Sequence, residues 1–154
     1  ASATMGDGPH FWAGAFEEGT EFGGRGLPSR IDAGMRHLHW KGRGGRREPP
    51  QTATTISLVA TDAVLTKAQC KRLAVAAHGG HAKGLRFAHG LYDGDVVFTA
   101  ATGRRPLDDE ASDFIEIAAV AGDCVARAIA RGVYEATPLP FPGALPSWQD
   151  RFGR

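Results

Sequence analysis

Apolar and polar residues alternate over 54–62, with Ile56, Leu58 and Ala60 on one side and Thr55, Ser57, Val59 and Thr61 on the other. A period of two predicts a strand whose two faces meet different neighbours. "DAVL" then turns the chain, and Thr66-Lys67-Ala68-Gln69 has the spacing of a capping box, in which a hydroxyl and an amide satisfy the first free N–H groups of a helix. That helix is expected to run through "AQCKRLAVAAHGGHAKG", with Leu65, Ala68, Leu73, Ala76 and Ala77 as its apolar stripe and two glycines weakening it. "YDGDVVFTAATG" reads as a turn entering a second strand, Val96 to Ala101, apolar enough to be buried on both faces. A second helix is predicted over about 109–135, where Phe114, Ile117, Val120, Val125, Ala128, Ile129 and Val133 recur at helical spacing behind an acidic first turn. Residues 10–24 read as a short strand or hairpin arm. Residues 23–50, rich in Gly, Arg and Pro, read as one long loop. The proline-rich tail reads as an extended arm.

These elements make a thin inventory for a free-standing α/β layer. One face of the sheet would lack a partner, which implies either a large further segment or obligate assembly with another chain. Composition narrows the function classes. With a net charge of +1 and both signs interspersed, the 154-residue chain lacks the basic footprint of a nucleic-acid binder. The local exception, "KGRGGRR" at 41–47, reads as a solvated linker. No run reaches the length of a membrane span and no signal peptide is visible, so the expected location is cytoplasmic. Cys70 and Cys124 fall in helical patterns and read as small buried hydrophobes rather than a disulfide.

Several residues carry chemistry on one reading and only structure on another. Thr54 opens the first strand, and composition alone reads it as an ordinary strand threonine. If the chain were cut between Ala53 and Thr54, the new α-amino group, with a pKa of roughly 7.7–8.0, would give that hydroxyl its own general base. Asp93 and Asp95 flank Gly94, so they either make a turn or, one residue apart on an extended segment, aim two carboxylates at one hydroxyl. His78 and His81 lie three apart with His89 following. Zinc could use the pair, but no third ligand has a convincing spacing, and helix-surface or packing histidines are the preferred reading. Ser57 and Ser147 lack an adjacent base.

Taken together, the motifs resemble a known family. "ATTISLVATDAVLTKAQCKRLAVAAH" is similar to the start of the small subunit in the self-cleaving L-aminopeptidase/D-esterase peptidases. Their pattern reads roughly Asn-Thr-Thr-Ile-x-Val-Val-Ala-Thr-Asp-Ala, followed by "LTKAQ". "YDGDVVFTAATG" and the C-terminal "CVARAIARGVYEATPLPFPGALPSWQDRFG" also resemble family motifs, and "GDGPHFWAGAFEEGTEFGG" resembles the end of the large subunit. The resemblance implies a four-layer αββα sandwich of the N-terminal-nucleophile-like type, only its C-terminal half lying in this chain. Residues 1–53 would be the end of the large subunit, with a flexible linker over about 23–53, and 54–154 the small subunit. Thr54 would be the nucleophile freed by self-cleavage after Ala53, and Asp93 and Asp95 would match the acidic pair of the nylon-oligomer (6-aminohexanoate oligomer) hydrolase branch. Three departures stand out: Ala53 where Asn is common, Ala3 where relatives carry an oxyanion-hole Asn, and "AHGGHAKG" where relatives read "AHDGLARA".

The implied activity is hydrolysis of short peptides, amino-acid amides or esters, or aminohexanoate oligomers, with no metal or organic cofactor. The implied partners are a large-subunit segment or partner chain and further copies, as a homo-oligomer of cleaved heterodimers. The alternatives are an uncleaved pseudo-hydrolase or assembly subunit and, behind it, an acyltransferase of similar fold, like the ornithine acetyltransferases.

Overall fold

A computed structural model describes residues 2–38, 54–91 and 93–153. The anticipated cleavage point and most of the basic linker fall outside these residues. The first strand, β1, is Ile56–Ala63, and the second, β2, is Val96–Arg105. They pair in parallel from Ile56↔Val96 to Thr61↔Ala101, with an irregularity before Ala63↔Arg105. The crossover between them carries two helices, α1 (Lys67–Ala77) and α2 (Gly79–Gly84). The capping box is present: Gln69 N–H donates to Thr66 Oγ1 and Thr66 N–H to Gln69 Oε1. The long helix α3 spans Glu110–Tyr134, and Asp109 caps it by accepting from the Ala111 and Ser112 N–H groups.

The single helix expected across "AQCKRLAVAAHGGHAKG" is two, broken at His78. Of the two glycines, Gly80 serves packing rather than simply weakening the helix. A Cβ at residue 80 would lie 2.3 Å from the Gly122 carbonyl oxygen and 2.6 Å from Val125 Cβ, so only glycine admits this approach of α2 to α3. The N-terminal arm is also different from expectation. Trp12–Phe16 form a short 3₁₀ helix, and strand character is limited to one antiparallel bridge, Thr4↔Phe11. After the proline-rich segment a short helix, α4 (Trp148–Phe152), starts on a second capping box between Ser147 and Asp150.

Among the described residues, α1 and α3 pack against the two-stranded sheet, and α2 packs against α3. Leu73, Ala77, Val97, Ala121 and Val125 form one apolar cluster between helices and sheet. A second joins Ala3, Phe11, Ala13 and Phe22 of the N-terminal segment to Leu85, Ala126, Ala130 and Trp148. Arg127 adds a polar clamp, donating through Nη1 to Glu18 at 2.6 Å and through Nη2 to Glu21 at 3.0 Å. The segment before residue 38 is thus bound to α3 independently of the chain path through 39–53.

The alternation along β1 is as read, but its more apolar face points outward. Ile56 is 72% exposed, Leu58 67% and Phe98 56%. Phe98 also corrects the expectation that β2 is buried on both sides. The inner face is hydroxyl-rich: Ser57 Oγ meets His81 Nε2 at 3.0 Å, and Thr99 Oγ1 donates to the Cys70 carbonyl at 2.7 Å. A groove of about 850 Å³ runs along β1 against α3, lined by Ile56, Leu58, Ile117, Val120 and Val133 among others. Cys124, expected to be buried, is exposed on that side, and Cys70 is half-buried; both are free thiols. Among the described residues no helix is long and apolar enough to cross a membrane.

The α2–α3 contact makes a direct prediction. Gly80→Ala should destabilise the fold by about 1–3 kcal/mol through overpacking, read as a lower denaturation midpoint with an unchanged denaturant slope. Gly79→Ala, where an added Cβ meets nothing within 4 Å, should not.

Candidate active site

Thr54 is exposed at the mouth of β1. Its hydroxyl lies against Gly94: a Cβ there would sit 2.9 Å from Thr54 Oγ1, so the missing side chain lets the Asp93–Asp95 turn approach the threonine. The two carboxylates are used differently. Asp95 is almost fully buried as a side chain, at 2% exposure. It accepts from the Thr55 N–H through Oδ1 and from the His89 N–H through Oδ2, both at 2.8 Å. Asp93 accepts from the Gly90 N–H at 3.0 Å and so holds the loop before β2. The sequence suggested two carboxylates facing one hydroxyl. In the structure one anchors the backbone beside Thr54 and the other shapes the loop.

Burial alone would push the Asp95 carboxyl up. The N–H donors of His89 and Thr55, the Thr55 side chain and the nearby His81 outweigh it and hold the pKa below its ordinary 3.8. Asp95 is therefore an anion throughout the neutral range. It fixes the backbone next to Thr54 and puts a negative potential beside any cation there.

Three histidines close the other side of the carboxylate. His78 ends α1, His81 lies within α2, and His89 stands in the loop at φ 55°, the one positive φ of a non-glycine among the described residues. His78 Nδ1 and His89 Nε2 are 3.3 Å apart, and His89 Nδ1 is 3.8 Å from Asp95 Oδ2. His81 is fully buried; its Nε2 meets Ser57, and its Nδ1 has no hydrogen-bond partner among the described residues. One ring nitrogen from each of the three lies within 4.8 Å of the others. Burial pushes the pKa of both His78 and His81 down, so both rings favour the neutral form. The sequence reading took His78 and His81 as packing residues because no third ligand was evident. His89 is that third residue, and only the folding-back of the loop brings it in.

Ser57 also differs from expectation, because His81 supplies an adjacent base. The pair is no triad: the second nitrogen of His81 meets no orienting carboxylate. Ala3 is buried in the N-terminal apolar cluster.

The chain matches the model of peptidase family S58 over residues 16–144. An uncharacterized aminopeptidase of Mycobacterium tuberculosis is 39% identical over 109 residues, covering 64% of this chain and 31% of the relative. An uncharacterized aminopeptidase of Mycobacterium leprae is 39% identical over 110 residues, covering 60% of this chain and 30% of the relative. The matched region thus spans under a third of the length of these relatives.

The depressed pKa of Asp95 fixes the sign of a pH effect. Its contribution to stability is present above the unfolded value, near 3.8, and is lost as pH falls through the lower folded value. Asp95→Asn should flatten the fall of stability with acid below about pH 4, measured by urea unfolding from pH 5 to 2. An acid slope identical to that of the parent chain would contradict the buried-anion assignment.

Proposed function

Because this chain belongs to peptidase family S58, we propose that it is part of an aminopeptidase-type amide hydrolase whose nucleophile is Thr54, freed by self-cleavage after Ala53. Thr54 Oγ1 attacks the substrate carbonyl carbon while the α-amino group of the same residue takes its proton. The tetrahedral adduct collapses to an ester on Thr54, the amine leaves with the proton returned to it, and water repeats the sequence to release the acid. Asp95 holds the Thr55 N–H, and with it the position of Thr54, and its charge stabilises the protonated α-amino group formed during attack. Asp93 keeps the loop folded so that Gly94 can lie against the hydroxyl.

The single observation that carries this reading is the buried, ionised Asp95 bonded to the backbone beside an exposed threonine, in a chain of this family. The packing also favours it. A cut after residue 53 would leave two pieces held together by the Phe11–Phe22–Trp148 cluster and the Arg127 clamp. The exposed Ile56, Leu58 and Phe98 favour completion of the sheet by a large-subunit segment or partner chain, each such side chain gaining about 1.5–3 kcal/mol if fully covered. Short peptides and amino-acid amides or esters are the proposed substrates, and the Asp93–Asp95 pair is the feature pointing toward 6-aminohexanoate oligomers.

Intact-mass analysis tests the proposal. Two fragments meeting between Ala53 and Thr54, co-eluting under native conditions, are expected. Thr54→Ser should still cleave. Thr54→Ala should stay whole and lose more than about 10⁴-fold in turnover. A folded, uncleaved parent chain of 16.3 kDa would instead support the assembly-subunit alternative.

A further inference from the structure

We propose that His78, His81 and His89 form a binding site for a divalent transition-metal ion of zinc type. The inference rests on their geometry and stands whether or not Thr54 is the nucleophile.

Zinc bonds to imidazole nitrogen at about 2.0–2.1 Å, which sets the nitrogen–nitrogen edge of a tetrahedral site at about 3.3 Å. His78 Nδ1 and His89 Nε2 already stand 3.3 Å apart. Two neutral imidazoles can share a single proton at that distance, but the same spacing is what a common cation requires. The third nitrogen lies within 4.8 Å of the others, and His89, on an exposed loop, can close the difference.

His81 provides the independent observation. It is fully buried, and its Nδ1 meets neither donor nor acceptor among the described residues. An unpartnered nitrogen in that position costs about 1–3 kcal/mol, which a metal bond removes. Its Nε2–H would then donate to Ser57 Oγ at 3.0 Å, the outer-shell bond that fixes a ligand's tautomer. His89 has the corresponding arrangement: Nε2 faces the cluster while Nδ1 faces the Asp95 carboxylate at 3.8 Å, making a carboxylate–histidine–metal line. Asp95 also supplies a negative charge to balance the cation. Burial favours the neutral, ligating form of His78 and His81 at neutral pH. Three imidazoles leave a fourth tetrahedral position for water or another small donor.

A cation here would join the break between α1 and α2 to the loop that carries Asp93 and Asp95. It would stiffen the surroundings of Thr54 without touching Thr54 itself.

Equilibrium dialysis of the chelator-treated chain against Zn²⁺ is the test, with Co²⁺ absorption as a check on tetrahedral nitrogen ligation. About one equivalent per chain is expected, with a thermal midpoint that rises with Zn²⁺ and falls back with chelator. His81→Leu should abolish stoichiometric binding. Exposed His89→Gln should weaken it at least tenfold with the fold retained, and Asp95→Asn about 10–100-fold. His37→Gln should leave it unchanged. Failure of the parent chain to bind one equivalent, or binding unaffected by His89→Gln, would overturn the proposal, and neither result bears on whether residue 54 is cut.

Discussion

The buried carboxylate of Asp95 is the constraint on which the site depends. It accepts one hydrogen bond from the residue before β1, forty positions earlier in the chain, and one from the loop before β2, and so ties those two stretches together. Removing that carboxylate would take away the acceptor of the Thr55 and His89 N–H groups, the latter in a residue held at φ 55°. The close approach of Gly94 to Thr54 and the gathering of the three histidines both follow from this tie.

The helical layer is built to hold the tie still. Gly80 lets α2 press against α3, which buries His81 and presents it to Ser57 on the sheet. Hydroxyls share the inner face of the strands with Val59 and Val97, and they meet a histidine and a helix carbonyl there. The outer face, with Ile56, Leu58 and Phe98, has the composition of a core without a covering layer. A sheet with helices on one face and apolar side chains on the other has the makings of an inner layer of a sandwich. That is the layer arrangement the family resemblance implies.

Local features were legible in the sequence. The capping box at Thr66 and Gln69, the period of β1 and the period of α3 each arise within a few residues, and each appears where it was expected. The misreadings share a cause. The helix break at His78 and the exposure of Phe98 and Cys124 depend on what packs against a residue from far along the chain, as the required glycine at 80 also does. The 3₁₀ turn at Trp12–Phe16 is a different case, in which aromatic and small residues alternate but only one strand-like bridge forms.

By itself, then, the sequence determined the alternating strand, the capped helices and the order of family motifs around Thr54, Asp93 and Asp95, because hydrogen bonding and side-chain period act over short separations. Only the tertiary structure decided which face of β1 turns inward, how the two aspartates divide their hydrogen bonds, and that His89 joins His78 and His81. Those outcomes rest on packing and electrostatic contacts between residues far apart in the chain, and no local pattern encodes which of many such contacts the folded chain will make.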